Sequence, residues 1–499
     1  VPNVLYAISK RNSMMKKRSM ISSIITSALT VGFGGSVGLE GPTVSTSAAI
    51  SSNLGKVLKL NYKTKTLLIG CASAAALAAI FKAPIAAIVF AIEVIMIDLT
   101  FRSLVPLLLA SAVGTITSRL LLGEDVLFHL SIKEVFQFSN ILFFVMLSIV
   151  TGLFSIYFER AYFYISHRIE GIDRPYLKAV VGGLILGTII FFIPSLYGEG
   201  YQSVNGLIGG SSEQILQNSI FQSLQERFPM VMISLLAIAF IKVIAMSLTF
   251  SSGGIGGIFA PTLFLGSVLG FVFASISNHY GFATLSITTF TLVGMAGLMS
   301  GVLHAPLTAI FLISEITGDY ELILPLMLVS AISYTTVKIF LPHSIYTLQL
   351  AKKGELITHH KDQAVLALLK LEAQIEKDFI TVHPSQTLGE LVQVVSRSKR
   401  NLYPVTDKEN RFLGVVTLDD IRGIMFNRNL YSKTKVEDLM SIAPAHVDLH
   451  ENMDVVMKKF EHTKAWNLPV VDEERYVGFV SKSKLFNAYR EKLRDFYEE

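Results

Sequence analysis

Charge is scarce in this chain. Only 16% of its 499 residues are Asp, Glu, Lys or Arg, against about 25% in an ordinary soluble domain. A uniformly soluble protein is therefore excluded. Cysteine is scarcer still: Cys71 stands alone in an apolar segment, which rules out an internal disulfide and leaves a small core residue. No Gly-Lys-Ser/Thr follows the glycine runs, and no GxGxxG joins a strand to a helix, so neither a Walker loop nor a dinucleotide fold is present. The net charge of +5 suits the Lys- and Arg-bearing loops of a membrane protein and gives no reason to expect nucleic acid. No signal peptide and no Met opens the chain. Its start at Val1 is expected to lie inside a longer natural sequence.

Apolar residues are abundant, at 51%. They dominate to about Tyr346; from Ala351 onward the chain is rich in Lys, Glu and Asp. This shift predicts a membrane body over 1–350, a linker over 351–377 and a soluble tail. A bilayer crossing takes about 20 apolar residues, and the runs Leu142–Tyr157, Ala179–Leu196, Met230–Met246 and Leu322–Phe340 qualify. The runs Ile21–Val31, Leu67–Ile80, Ile85–Ile97, Ile258–Ala274 and Leu292–Val302 read as too short or too broken. Gly and Pro interrupt them, and broken helices persist at membrane depth only where they line a cavity or site.

The interruptions repeat. LTVGFGGSVGLEGPT (Leu29–Thr43) matches LTFSSGGIGGIFAPT (Leu248–Thr262) at seven of fifteen positions, with a shift of 219 residues. APIAAIVFAIE (Ala83–Glu93) matches APLTAIFLISE (Ala305–Glu315) at a shift of 222. The membrane body is thus two related halves, and paired Gly/Pro-broken segments point to a transport site between them. Pro42 and Pro261 suit the first turn of a helix, and the glycines before them leave amide N–H groups pointing outward. A helix start attracts an anion by about 0.3–1 kcal/mol, up to ~2 when partly buried. Several starts converging would hold an anion without a fixed cation, strongly enough to bind and weakly enough to release. Glu40 sits at one such start and could fill the anion's place when ionised. Its repeat partner is Phe259. The bland reading is a first-turn Glu favouring the helix dipole.

With GLEGPT, GGIFAPT and APLTAIFLISEITGDYELILPLM in view, the chain resembles the CLC family of chloride channels and chloride–proton exchangers through Val1–Lys352. The resemblance implies an all-α multi-pass membrane domain with two inverted repeats, a homodimer in the lipid bilayer, and chloride as the transported ion with no required cofactor. By motif match Glu40 is the gate. Gly38, Leu39, Gly41, Ile258 and Phe259 line the anion site through their backbone, and the Tyr346 hydroxyl assists. Taken without the family, Tyr346 reads as an interfacial aromatic. The family's GSGIP motif would end at Val1 and Pro2, so its serine lies outside this sequence. Exchangers of the family usually carry two adjacent glutamates where this chain has Glu93 and Val94. Val94, the proton-relay position, cannot titrate. Glu93 has a counterpart in Glu315, which favours a shared structural role such as accepting helix N–H bonds. These features favour a gated, passive chloride channel, with a chloride–proton antiporter as the alternative.

The tail repeats as well: NLYPVTDKENRFLGVVTLDDI (Asn401–Ile421) resembles NLPVVDEERYVGFVSKSKL (Asn467–Leu485). Each reads as strand, charged turn, strand and helix, and looks like an α/β tandem CBS pair, over 378–431 and 432–499, placed in the cytoplasm. CBS pairs often bind adenine nucleotides such as ATP, ADP or AMP. The family's ribose contact matches Thr417 and Asp420; Ser481 is followed by Lys484, which cannot accept a hydroxyl. A purely structural dimerisation module is the equal alternative. Lys16–Lys17–Arg18 and Tyr62–Lys65 read as connections, Trp466 as a packed residue of the second CBS domain, and His359–His360 as linker with no metal role. No nucleophile–base pair or metal set suggests an enzyme.

Overall fold

The computed structural model describes residues 1–95, 101–123, 128, 138–224, 227–348, 369 and 371–498. The chain divides into two compact units, Val1–Leu356 and Ile357–Glu499. The linker segment 351–368, with His359 and His360, lies outside the described residues, as do the last residues of the Ile85–Ile97 run.

The first unit is helical: α1 (Pro2–Lys10), α2 (Ser19–Gly32), α3 (Glu40–Val57), α4 (Tyr62–Phe81), α5 (Pro84–Glu93), α6 (Phe101–Leu122), α7 (Ile141–Glu170), α8 (Pro175–Phe192), α9 (Tyr201–Ile208), α10 (Glu213–Leu216), α11 (Phe228–Ser251), α12 (Phe259–His279), α13 (Ile287–Leu303), α14 (Pro306–Thr317) and α15 (Ile323–Phe340). Among the described residues seven helices are long and apolar enough to cross a membrane. Three of them correct the sequence reading. The Leu67–Ile80 run is part of α4, which reaches 20 residues because Tyr62–Thr66 extend it at its start. Apolar runs miss α6, because Pro106 and Arg119 interrupt it, and α12 extends to 21 residues because Ser275, Ser277 and Asn278 continue the helix past the apolar stretch. Tyr62–Lys65 is not a connection but the first turn of α4, where the Asn61 side chain accepts the Thr64 N–H at 2.8 Å.

The core centres on α12 and α13, which are buried nearly all round. A helix apolar on every side belongs inside. Small residues let the two backbones touch: a Cβ on Gly270 would fall 2.0 Å from the Phe290 carbonyl oxygen, and one on Gly294 would fall 2.5 Å from that of Gly266. Close approach of this kind replaces the hydrophobic drive that lipid removes.

The two halves mirror each other bond for bond. Gly34 and Gly253 take positive φ angles of 99° and 102° after α2 and α11. The next amides, Gly35 and Gly254, return to the carbonyls of Thr30 and Thr249 at 2.7 and 2.9 Å. Lys82 and His304, both at φ 54°, end α4 and α13 before Ala-Pro. The contacts between halves are reciprocal: Ser36 N–H donates to Thr249 Oγ1 and Ile255 N–H to Thr30 Oγ1, both at 3.1 Å. Such exchange of equivalent partners defines a local two-fold axis.

In the second unit β1 (Leu402–Thr406) pairs antiparallel with β2 (Phe412–Thr417), and β4 (Asn467–Asp472) with β5 (Arg475–Ser481); β3 (Val447–Asp448) lies parallel to β4. Helices Leu388–Arg397 and Met453–Thr463 precede the hairpins, and Leu418–Arg422 and Lys482–Glu498 follow them. Each half lends a residue to the other half's hairpin: Glu376 exchanges both backbone bonds with Phe479, and Ser441 does so with Val415. A Cβ on Gly478 or Gly414 would strike those partner carbonyls, at 2.5 and 2.6 Å. Trp466 is 72% exposed, so it does not pack inside its domain. That core is built from Val456, Phe460, Leu468, Val470 and Val480.

Candidate functional site

The starts of α3 and α12 meet on the local axis. Gly38 and Gly257 exchange backbone hydrogen bonds, Gly38 N–H to Gly257 O at 2.9 Å and Gly257 N–H to Gly38 O at 2.7 Å. Glycine is needed because the two chains almost touch. A Cβ on Gly257 would sit 2.8 Å from the Gly41 nitrogen, and one on Gly38 would sit 2.0 Å from Glu40 Oε2. Glu40 and Phe259 are the first residues of their helices, which confirms their repeat relation.

Glu40 is 2% exposed. Its Oε1 accepts a hydrogen bond from the Tyr201 hydroxyl. The carboxylate faces the backbone amides of Glu40 and Ala260, while Oε2 has no partner of good geometry among the described residues. The Glu40 carboxylate thus lies at the mouth of the opposite helix start. The amides of Ile258 and Phe259 likewise meet no acceptor among the described residues. The Phe259 ring closes one wall against Phe81 and Phe90, with centroids at 6.0 and 5.7 Å.

Two expected donors are corrected. The Gly38 amide is spent on Gly257, and the Leu39 amide donates to Glu199 Oε1 at 2.9 Å. Neither is available to an ion. The Gly41 amide borders Gly257 at the junction itself. Tyr346 is 6% exposed, so it is no interfacial aromatic; its hydroxyl is buried without a hydrogen-bond partner among the described residues. It lies near enough to Glu40 to sense that charge.

Sequence reasoning missed Glu199, Tyr201 and Lys242. The signal was available, since ionisable residues inside an apolar body are functional suspects by default. Lys242, wholly buried in α11, donates to the Leu196 and Gly198 carbonyls at 3.3 and 3.0 Å and lies over the Phe264 ring. Its charge acts on Glu199, and Glu199 in turn anchors Leu39. This chain of contacts fixes the loop that presents Tyr201 to Glu40.

Glu93 and Glu315 are crossed helix caps. Glu93 accepts the Leu307 and Thr308 amides at 3.1 and 2.8 Å and the Thr308 hydroxyl at 2.7 Å; Glu315 accepts the Ile85 and Ala86 amides at 3.0 and 2.8 Å. Each carboxylate neutralises orphan N–H groups at the other half's helix start. Val94 is 5% exposed and brings no titratable group.

In the tail, Asp420 Oδ2 accepts both the Thr417 amide and hydroxyl at 2.7 Å, and the Asp420 amide returns to Thr417 Oγ1. The pair forms a capping box. At the equivalent place Ser481 donates to Glu376 at 2.6 Å. Glu376 and Asp378 both pair with Arg400, at 2.5 and 2.7 Å. The Arg400 hydrogen bonds hold the Asp378 carboxyl below the usual carboxylate range.

Opposed helix starts, joined at a two-fold in a helical membrane body, define a carrier of anions. Residues 1–338 match the voltage gated chloride channel family, and 373–427 and 436–491 match the CBS domain. The chain belongs to the CLC family of anion transporters and carries a C-terminal CBS pair. It is 28% identical to the H(+)/Cl(-) exchange transporter ClcA of Vibrio cholerae over 311 residues, covering 60% of this chain and 62% of that protein. To chloride channel protein CLC-f of Arabidopsis thaliana it is 26% identical over 461 residues, covering 81% and 57%. A slow cyanobacterial Cl-/H+ antiporter has the same fold, with a TM-score of 0.58, 24% identity, and 70% and 80% coverage. A eukaryotic CLC transporter matches across 97% of this chain and 84% of its own, with a TM-score of 0.57 and 17% identity.

Proposed function

We propose that this chain is a gated chloride channel in which Glu40 is the gate. The observation that carries the reading is the position of the Glu40 carboxylate against the Ala260 amide at the start of α12, beside the Ile258 and Phe259 amides, which have no acceptor among the described residues. When the carboxylate leaves, by protonation or displacement, those amides, the Gly41 amide and the Tyr346 hydroxyl are left to a chloride ion. Each helix start contributes up to ~2 kcal/mol, enough for binding and too little for trapping. Tyr201 holds the closed state by its bond to Glu40.

The passive mode is supported by two positions. Val94 cannot carry a proton, and Glu93 is occupied by three hydrogen bonds. The antiporter reading is favoured by its named relatives, ClcA and the cyanobacterial antiporter. A homodimer in the bilayer, with the tail in the cytoplasm, completes the proposal. The exposed Leu109, Val113 and Ile116 of α6 and Leu324 and Met327 of α15 supply apolar faces for lipid or a second copy. An adenine nucleotide at Thr417 and Asp420 would have to compete with the capping box.

The test is reconstitution in liposomes. Wild type is expected to pass chloride down its gradient, faster in acid, without moving protons uphill. Glu40→Gln is expected to pass chloride independently of Glu40 titration. Uphill proton movement driven by a chloride gradient would replace the channel by the antiporter; a well-folded Glu40→Gln protein without flux would remove the gate. ATP, ADP and AMP titrated against the full chain, wild type and Asp420→Ala, test the nucleotide.

A further inference from the structure

Glu159 belongs to no function assigned so far. It lies about two thirds of the way along α7, is 1% exposed, and neither carboxylate oxygen has a hydrogen-bond partner of good geometry among the described residues. The carboxylate faces the backbone amide of Ile345. The next residue is Tyr346, whose buried hydroxyl has no partner among the described residues and which senses Glu40. Two buried carboxylates, Glu40 and Glu159, therefore approach the Tyr346 segment, one through the tyrosine hydroxyl and the other through the preceding amide. A charged carboxylate without donors is too costly for a structural role inside an apolar body.

The titratable groups carried by α7 and by the helices packed against it do not neutralise Glu159, and none of them acts on its carboxylate. On α7 its titratable neighbours are Arg160, which follows it in sequence, and Tyr162 one turn on; Tyr162 also acts electrostatically on Tyr346. From α11 comes Lys242, turned to the Leu196 and Gly198 carbonyls. The end of α13 brings His304, which lies against the Tyr334 ring of α15 and interacts with Lys338 and His343. On α12 the titratable group is His279, stacked on Phe228; α8 carries Tyr176 and Lys178 in its first turn. Among the described residues no ion pair includes Glu159.

We propose that Glu159 is a second, proton-operated gate of the anion pathway, acting on the Tyr346 side of the site. Its ionised form sets a negative charge facing the Ile345 amide, next to Tyr346, and repels an anion there. One proton taken from water turns the carboxylate into a neutral acid and lifts the repulsion. The inference rests on the anion site proposed above.

Because Glu40 also responds to protons, the test starts from Glu40→Gln, in which the first gate is gone. Chloride flux from liposomes of that variant is expected to rise as pH falls, by up to about tenfold per pH unit as a single-proton site allows. The double variant Glu40→Gln/Glu159→Gln is expected to be flat and fast across the range. Glu40→Gln/Glu159→Asp, which keeps a carboxyl, is expected to restore a pH response with a displaced midpoint. Each variant is accepted only if it elutes as wild type does by size exclusion. A double Gln variant that keeps the pH response of Glu40→Gln overturns the second gate and leaves the first intact. Absence of flux in folded Glu40→Gln defeats the anion-site reading instead.

Discussion

Replacing Glu93 with Ala removes the cap of α14 and separates a structural role for this residue from a part in proton transfer. Three bonds are lost at once: the Leu307 and Thr308 amides and the Thr308 hydroxyl, at 3.1, 2.8 and 2.7 Å. A buried donor left without an acceptor costs about 1–3 kcal/mol. The lost attraction between the carboxylate and the helix start adds ~0.3–2 kcal/mol. Relief from burying the carboxylate offsets part of this, and Glu93 is only half-buried, so the net loss is expected at about 2–3 kcal/mol. Glu93→Gln keeps one acceptor oxygen and is expected to lose about 1–2 kcal/mol. Thermal unfolding in detergent, followed by the fraction that still elutes as folded protein, measures both. Chloride flux in the Gln variant should stay near wild type. Glu315→Ala should lose somewhat less than Glu93→Ala, because its two amide bonds have no third hydroxyl partner. Unchanged stability in Glu93→Ala, or a Gln variant that is stable yet inactive, would refute the crossed-cap account and return Glu93 to the transport chemistry.

Most of this architecture was legible because the constraint lies in the backbone. Gly34 and Gly253 need positive φ, and Gly38 and Gly257 need the space of a missing Cβ. Both requirements leave glycine in the sequence at a fixed shift, so the repeat and the junction could be read without coordinates. The crossed caps were legible in kind, since Glu93 and Glu315 follow Ala-Pro at equal distances. Donor occupancy was not legible. The Leu39 amide is lost to Glu199, 160 residues away, and no local pattern marks that partner. α6 was missed because a run of apolar residues is a poorer guide than net polarity over a turn: Ser111, Thr115 and Ser118 face protein, and the last two bond to carbonyls of α4. Trp466 is the converse case: it reads as a packed residue of its domain, yet it is 72% exposed.

Gly257→Ala places a methyl 2.8 Å from the Gly41 nitrogen and 3.3 Å from Glu40 Oε2. Backbone cannot yield as a flexible side chain would, so a loss of about 1–3 kcal/mol is expected, with chloride flux falling more than stability does; normal flux would show that the junction is not on the pathway. A second prediction concerns acid and the tail. The Arg400 hydrogen bonds hold Asp378 below its usual 3.8, so the folded form has the lower value. The stability this gives is fully present above about pH 3.8 and is lost as pH falls through the folded value. Arg400→Ala removes the hydrogen bonds and with them the difference between folded and unfolded carboxyl. Protection of the Glu376 and Phe479 amides, whose N–H groups donate to each other's carbonyls at 2.7 and 3.0 Å, taken as exchange relative to an unstructured peptide at the same pH, should therefore fall in wild type between pH 4 and pH 3. In Arg400→Ala that protection should already be lower at pH 5 and change less on acidification. Because Asp378 is largely exposed, the step will be small. Its sign is the decisive feature: protection that grows as the pH is lowered would contradict the assignment of Arg400 as the group that stabilises the Asp378 charge.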